Sequence, residues 1–238
     1  VTPRRRPPQD CFVMNIAVIV PAAGTGSRFG GGLPKQFQPL LGKPILQHVV
    51  ERFLLDDSVS RVVVPVAEIL LASIRQSAED RIKFVAGGET RQESVIRGLA
   101  EIEEADVVAI HDAARPLFSI ELFHRVIAAA AEFGASLPVI PLTDTVHVIE
   151  QDTVSLTLDR SSLGAAQTPQ AFRMNVLREI LDKALADGIT GTDEAGLAVR
   201  YGYKVRAVAG EPTNFKVTHP LDLIIAETYL KGSEEDVQ

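Results

Sequence analysis

Short apolar runs alternate with longer stretches of helical periodicity along most of this sequence. The six runs are rich in valine, isoleucine and alanine and cover residues 15–20, 61–66, 82–86, 106–111, 136–141 and 203–209. Strands that are apolar at nearly every position are buried on both faces, and strands that alternate with helices usually lie parallel in one sheet. The sequence therefore predicts an α/β fold, with a mostly parallel sheet and helices on both faces.

The stretches between these runs predict amphipathic helices. Residues 44–55 place apolar side chains on one face, and Thr90 and Glu93 have the spacing of a capping box that begins a helix. Two further helices are predicted at 120–133 and 173–186. Open parallel sheets bind ligands at the carboxyl ends of their strands, so the segments that directly follow strands should carry the chemistry.

Residues 141–163 interrupt this alternation with a period of two residues and no helical pattern. Two short antiparallel strands that turn around residues 150–152 form the expected hairpin. Such a hairpin can be a projecting arm that mediates dimerisation or an excursion at the edge of the sheet. The composition leaves both open.

The first twenty residues can be interpreted in two ways. Arg4, Arg5 and Arg6, followed by an apolar run and small residues, imitate a secretory signal. The alternative is a disordered extension, residues 1–13, followed by a buried first strand. We prefer the second, because the downstream elements need that strand, and we expect one domain at 14–232, a tail at 233–238 and a cytoplasmic location.

Charge and cysteine content exclude several classes of function. The 238-residue chain has a net charge of -7, which disfavours non-specific binding to nucleic acid or to an anionic membrane. No apolar run approaches the ~20 residues of a membrane span. The single cysteine, Cys11, excludes an internal disulfide and a cysteine-based zinc cluster. Binding of an anionic ligand must therefore depend on a local group of cations.

A glycine-rich segment follows the first strand. It fits neither GxGxxG, because Phe29 occupies the third glycine position, nor GxxxxGK[ST], because no glycine has the required spacing before Lys35. Backbone N–H groups after a strand can still bind phosphate, with Arg28 and Lys35 to neutralise it. A surface loop with incidental charges is the alternative.

Further candidates follow the third and fourth strands. Residues 87–95 combine two glycines with a helix N-terminus, which suits contacts to a ribose or base, although a simple helix cap explains them equally well. Asp112 and Arg115 can bind a polyol or metal and a phosphate, or can form a local ion pair. Lys216 is predicted on a short strand before a helix that begins at residues 219–220.

Nucleophilic catalysis by the protein is not indicated. No serine elbow or catalytic cysteine setting is visible, and His48, His124 and His147 lack metal-ligand spacing. This inventory favours group transfer without a covalent enzyme intermediate.

Nine motifs of this sequence resemble those of the 2-C-methyl-D-erythritol 4-phosphate cytidylyltransferases of the non-mevalonate isoprenoid pathway, and they occur in the same order and with matching spacing. They are PAAGTGSR, Lys35, GGETRQESV, HDAARP, DTV, LDR, QTP, TDEA and NFKVT, and the resemblance covers residues 15–230. It implies a Rossmann-like nucleotidyltransferase fold, a homodimer formed through the 141–163 arm, and Mg²⁺ bound mainly through the CTP triphosphate. The implied reaction transfers CMP from CTP to methylerythritol phosphate and releases pyrophosphate.

The resemblance also implies a role for particular residues. Arg28 and Lys35 match the cations that stabilise the transition state, while Arg160 and Lys216 match those that position the substrate phosphate, the arginine coming from the partner subunit. The other substrate contacts match Asp112, Arg115, Thr145 and Thr168. The nucleotide-contacting positions match Ala22, Ala23, Gly24, Gly26, Gly88, Glu89 and Ser94. No metal ligand of the protein is implied.

Three alternative functions stay open from the sequence, and one of them is a non-catalytic regulator or interaction module. Ribitol 5-phosphate cytidylyltransferases share the loop and fold, but LDR at 158–160 and PAAG at 21–24 favour the erythritol enzyme. A dinucleotide-binding oxidoreductase belongs to a different class, and the missing third glycine counts against it. Departures from the family pattern occur at His219, Leu221 and Glu89, and they affect the expected fine geometry rather than the reaction.

Overall fold

The computed structural model describes residues 14–24, 33–72, 74 and 79–235. Its strands are β1 Ile16–Ile19, β2 Pro39–Leu40, β3 Lys43–Pro44, β4 Val59–Val66, β5 Ile82–Ala86, β6 Val107–Ile110, β7 Ala135–Pro141, β8 Val146–Glu150, β9 Thr153–Leu158, β10 Gly164–Ala166, β11 Gln170–Arg173 and β12 Arg206–Ala209. Its helices are α1 Ile45–Leu54, α2 Glu68–Leu71, α3 Arg91–Leu99, α4 Ile120–Phe133, α5 Met174–Ala186, α6 Glu194–Arg200 and α7 Pro220–Glu235. The predicted extension at 1–13 and the end of the predicted tail, 236–238, lie outside the described residues.

The central sheet has the strand order β10-β7-β11-β6-β1-β4-β5, with β12 paired to β7. Strands β5, β4, β1 and β6 are parallel, and Val18 of β1 lies between Val62 of β4 and Ala109 of β6. The predicted α/β fold with a mostly parallel sheet is therefore confirmed. All six predicted strands are present, although β12 begins at Arg206 rather than at residue 203.

Packing on both faces of the sheet explains why β1 is apolar at every position. Val18 contributes to a core shared with Val49 of α1 and Phe123 of α4. Ile19, the next residue, contributes to the opposite core, which includes Val95 of α3. Successive side chains of a strand point to opposite faces, so both faces of β1 are covered by helices, as predicted.

Two strands of the central sheet were not anticipated from the sequence. β11 pairs antiparallel with both β6 and β7, and β10 pairs antiparallel with β7. β11 has four residues and polar ends, so its pattern is too short to indicate a strand, but Phe172 is buried and anchors it. The two neighbouring strands supply its hydrogen bonds, and only the tertiary structure brings them there.

The predicted strand at Lys216 is wrong. Residues 215–218 have no regular structure, and the backbone N–H of Val217 donates to the carbonyl of Ala114 over 2.8 Å. This segment therefore bonds the backbone that follows β6 and does not pair with a strand. The helix predicted to follow is present as α7.

The hairpin predicted within 141–163 is confirmed. β8 and β9 pair antiparallel in a sheet of their own, and Gln151 and Asp152 at the tip both have positive φ angles, of 48° and 64°. A short 3-10 helix, Arg160–Ser162, follows the hairpin. It was not predicted, because residues 141–163 show no helical pattern in the sequence. Among the described residues, no helix combines the length and the apolar character that a bilayer crossing requires.

Candidate active site

Segments that follow β1, β5 and β6 form one cleft at the carboxyl ends of these strands. Lys35 and Lys216 reach the same cleft from elsewhere in the chain. The described residues that line it are Pro21, Ala22, Ala23, Gly24, Lys35, Gln36, Gly88, Glu89, Thr90, Arg91, Ser94, Asp112, Ala113, Ala114 and Lys216. This is the edge at which open α/β sheets bind ligands.

Gln36 links the Lys35 turn to the start of the glycine-rich segment. Its side-chain amide is buried and donates to the carbonyls of Ala22 and Gly24, over 2.7 and 2.8 Å. Lys35 begins the short 3-10 helix that contains Gln36. The amide therefore holds the predicted catalytic lysine next to the predicted phosphate-binding backbone.

The segment after β5 packs tightly against the segment after β1. A Cβ atom added to Gly87 would lie 2.4 Å from the Cβ of Ala23, and one added to Gly88 would lie 2.2 Å from the Cβ of Glu93. Real Cβ atoms do not approach this closely. These two glycines are therefore required for the backbone to close one side of the cleft.

Half of the predicted capping box at the start of α3 is present. The Thr90 hydroxyl accepts from the N–H of Glu93 over 3.1 Å, but the Glu93 carboxylate accepts from the N–H of Glu89, the residue before the cap, over 2.8 Å. The Ser94 hydroxyl accepts from the N–H of Gly88 over 3.0 Å. The N–H groups of Gly88 and Glu89 thus have hydrogen-bond partners within the protein, which fixes the backbone on this side of the cleft.

Asp112 is surrounded by three cationic side chains. Its Oδ2 atom lies 2.9 Å from Nζ of Lys216 and 3.3 Å from Nε of Arg115, and its Oδ1 atom lies 3.4 Å from Nε of Arg91. Burial would raise the pKa of Asp112, but Lys216, Arg91 and Arg115 together hold it well below its ordinary value. Asp112 is therefore ionised at neutral pH and acts as a hydrogen-bond acceptor.

His111 and Thr168 lie behind Asp112 in a buried hydrogen-bonded chain. The Thr168 hydroxyl accepts from the N–H of Asp112 over 3.0 Å, and it lies 3.2 Å from Nδ1 of His111. Nε2 of His111 lies 2.9 Å from the carbonyl of Arg115. Because a carbonyl only accepts, Nε2 carries the proton and Nδ1 accepts from Thr168. Burial lowers the pKa of His111 from 6.5 to about 4, so this neutral ring persists at neutral pH.

The structure brings together most of the described residues that the sequence singled out. Those at the cleft are Ala22, Ala23, Gly24, Lys35, Gly88, Glu89, Ser94, Asp112 and Lys216. Arg115 pairs with Asp112 but does not line the cleft, and its Nη1 donates to the carbonyl of Asn214 over 2.8 Å. Thr168 is buried behind Asp112 rather than exposed to a ligand.

Two predicted site residues, Thr145 and Arg160, lie away from this cleft. Both are exposed residues at the two ends of the arm, and the Arg160 guanidinium donates to the carbonyl of Thr143. Two others, Gly26 and Arg28, lie outside the described residues, so their predicted roles stay predictions.

Among the cleft residues to which sequence reasoning assigned no role in the site, two have side chains that hold other parts of it, Gln36 and Arg91. Gln36 follows the predicted lysine directly, and a polar residue next to a candidate site could have been examined as its support. Arg91 was considered only as part of a helix start. Its contact with Asp112 joins residues 21 positions apart, and no spacing rule in the sequence indicates it.

The described residues of this cleft offer few carboxylates, so they suit a divalent cation that a phosphate ligand also binds. In the part of the chain that the structure describes, no three histidine, cysteine, aspartate or glutamate side chains group as a metal site. Asp112 and Glu89 are the carboxylates at the cleft, and Asp112 already contacts three cations. Mg²⁺ commonly binds one or two carboxylates together with substrate phosphates, and this donor set suits that mode.

Comparison with known proteins identifies similar sequences over nearly the whole chain. The family profile described as 2-C-methyl-D-erythritol 4-phosphate cytidylyltransferase matches residues 16–232. Proteins of that name from Acidobacterium capsulatum and Rhodococcus jostii are 40% and 43% identical. The alignments cover 92% and 91% of this chain and 98% and 95% of those proteins.

Solved structures agree with these sequence matches. The 2-C-methyl-D-erythritol 4-phosphate cytidylyltransferase of Thermus thermophilus has a TM-score of 0.78 and 34% identity, and covers 92% of this chain and 100% of its own. The 4-diphosphocytidyl-2C-methyl-D-erythritol synthase of Anaerococcus prevotii has a TM-score of 0.80 and 28% identity, and covers 92% and 97%. The oxidoreductase alternative is therefore disfavoured. This chain belongs to the 2-C-methyl-D-erythritol 4-phosphate cytidylyltransferase family and is a nucleotidyltransferase.

Proposed function

We propose that this enzyme transfers CMP from CTP to 2-C-methyl-D-erythritol 4-phosphate, giving 4-diphosphocytidyl-2-C-methyl-D-erythritol and pyrophosphate. The observation that supports this most directly is the cleft itself. It combines a glycine-containing backbone after β1 with Lys35 and Lys216, at the sheet edge where α/β proteins bind nucleotides. Together these groups can bind two phosphate-bearing ligands side by side.

The reaction needs no nucleophile from the protein. A phosphate oxygen of the sugar substrate, already anionic, attacks the α-phosphorus of CTP and forms a new P–O bond. The bond from that phosphorus to the departing pyrophosphate breaks, and the electron pair leaves with the pyrophosphate. Catalysis then depends on positioning two anions and on stabilising the charge that develops at the α-phosphate.

Lys35 and Arg28 are the residues proposed to stabilise that charge, while Lys216 and the partner subunit's Arg160 position the sugar phosphate. Lys216 is only partly buried and bonds Asp112, so its ammonium can turn toward a phosphate without leaving the cleft. Bound Mg²⁺, held mainly by the triphosphate, would supply further positive charge at the phosphates. The ionised carboxylate of Asp112 can accept hydrogen bonds from the hydroxyl groups of the polyol.

The homodimer, the cytoplasmic location and a single domain at 14–232 belong to the same proposal. The arm supports the dimer because Ile149, Val154 and Leu156 are apolar and each more than half exposed. Apolar side chains clustered on a projecting hairpin are typical of an interface.

Pyrophosphate release tests the function directly. The purified enzyme is incubated with each of CTP, ATP and UTP and with methylerythritol phosphate or ribitol 5-phosphate. We expect rapid release only with CTP and methylerythritol phosphate. Preference for ribitol 5-phosphate would support the second cytidylyltransferase, and no release with any pair would refute nucleotidyl transfer. Omission of the sugar phosphate controls for hydrolysis.

A further inference from the structure

Arg91 joins the carboxylate that lines the cleft to a buried carboxylate behind it. Its Nη1 atom lies 2.5 Å from Oε2 of Glu194, and its Nε atom lies 3.4 Å from Oδ1 of Asp112. Glu194 is 1% exposed, whereas the Asp112 side chain is 13% exposed and lines the cleft. One guanidinium thus contacts a carboxylate in the segment after β6 and a carboxylate at the start of α6.

Neighbouring contacts hold Arg91 and Glu194 in place. Arg91 is the first residue of α3, and Gln92 beside it donates to the carbonyl of Ile189 over 3.0 Å and accepts from the N–H of Gly191 over 2.8 Å. Glu194 opens α6, directly after its capping residue Asp193. The start of α3 is therefore fastened to the segment before α6 by two side chains, and Arg91 has little freedom to move.

The position of Arg91 matters because Lys216 has two competing partners. In this structure Lys216 bonds Oδ2 of Asp112, but in the proposed reaction its ammonium contacts a substrate phosphate. When it does so, Asp112 loses one of its three cations. Arg115 stays on Oδ2, and Arg91 is the contact on Oδ1, so these two keep the carboxylate oriented.

We propose that Arg91, anchored by the buried Glu194, is a positioning residue that holds Asp112 toward the polyol while Lys216 binds the substrate phosphate. This inference rests on the proposed function. An arginine suits the position because its planar group can contact two carboxylates at once, which the single ammonium of a lysine cannot do with the same geometry. The buried Glu194 carboxylate accepts from Nη1 of Arg91 and keeps the guanidinium from turning into the cleft.

Steady-state kinetics of Arg91→Lys, Glu194→Gln and the double variant test the proposal. Arg91→Lys should lower kcat/KM for the sugar phosphate about 10-fold, mainly through KM for that substrate, with KM for CTP and Tm nearly unchanged. Glu194→Gln should have a smaller effect in the same direction. The double variant should be no worse than Arg91→Lys alone, because the two residues act through one contact chain.

The matched control is Arg125→Lys, which changes an exposed ion pair in which Nη2 lies 3.2 Å from Oε1 of Glu211. If Arg91→Lys behaves like this control, the inference is wrong. Parallel increases in both KM values with a large fall in Tm would show a merely structural role and would also overturn it. If the unmodified enzyme releases no pyrophosphate, the proposed function fails instead.

Chemical rescue gives a second readout that a structural role would not produce. Arg91→Ala should regain several-fold activity on addition of guanidinium at millimolar concentration, and none on addition of the same concentration of sodium chloride. Absence of rescue in an Arg91→Ala variant that retains its Tm would count against direct positioning by the guanidinium.

Discussion

Asp112 and Arg160 are both charged residues expected to contact the substrate, but their surroundings differ. Asp112 follows β6 in the centre of the sheet, and three cations and a backbone hydrogen bond orient it. Arg160 follows the arm, is exposed, and contacts the carbonyl of Thr143 within the same connection. One part of the candidate site is assembled within a single chain, whereas Arg160 does not line that chain's cleft.

This difference separates two ways of building a polar site. Around Asp112, Glu194 at the start of α6 holds Arg91 and the carbonyl of Asn214 holds Arg115, so most of the geometry exists before a ligand binds. The arm has only its own two strands, with Ile149, Val154 and Leu156 exposed. A residue on such an arm becomes precisely placed only when a second surface covers it, which agrees with the proposal that Arg160 contacts the site of a partner subunit.

The largest expected effect comes from removing a cation of the preorganised cleft. Lys35→Ala should fold normally and lose about 10²-fold or more in kcat, because a fixed positive charge at the developing anion is lost. Steady-state kinetics, with circular dichroism to check folding, measure this. Lys43→Ala is the control, since Lys43 is exposed and pairs with Glu51 away from the cleft. Near-normal turnover of Lys35→Ala would contradict the assigned role.

Mixed dimers test whether the arm acts across subunits. Arg160→Ala and Lys216→Ala should each be nearly inactive alone. Coexpression gives mixed dimers with one complete site, in which Lys216 of one chain meets Arg160 of the other. With random pairing about half of the dimers are mixed, and each has one of its two sites complete, so about a quarter of the native turnover should return. Differently tagged chains allow the mixed species to be purified. If the mixture is as inactive as its components, Arg160 does not contribute to the partner's site.

The smallest effect concerns the neutral histidine behind Asp112. In the unfolded chain His111 titrates at its ordinary pKa of 6.5, and in the folded chain burial lowers this pKa to about 4. Between these values the unfolded chain binds the proton first, so the free energy of unfolding falls by about 3 kcal/mol as the pH drops from 6.5 to 4. Above pH 6.5 the full stability is present.

Denaturant titrations at about pH 7 and pH 4.5 measure this loss. His111→Gln is less stable throughout, because the ring packs against Phe118 with a centroid separation of 4.5 Å, but its stability should change less between the two pH values. His147→Gln, on the exposed arm, is the control. An equal pH-dependent loss in native protein and His111→Gln would show that other groups cause it.

The comparison also shows where sequence reasoning succeeds and where it stops. The residues of the cleft that directly follow strands were identified, because parallel strands place their carboxyl ends at one edge of the sheet. Thr90 was identified as a helix cap because capping depends on residues three apart, and the structure has that hydrogen bond. The strand at Lys216 was wrong, because its apolar neighbour Val217 is buried in a side-chain cluster with Leu40 and Leu117 rather than in a sheet.

The α/β class, the six predicted strands, the hairpin and the family can all be inferred from the amino-acid sequence alone. They depend on local periodicity and on the order of motifs, and neither requires knowledge of contacts between distant residues. The folded chain adds that β11 runs antiparallel through the sheet, that Gln36 supports the turn of Lys35, and that Arg91 joins Asp112 to Glu194. Each is a contact between residues distant in the chain, and its strength depends on burial and charge that no local pattern encodes.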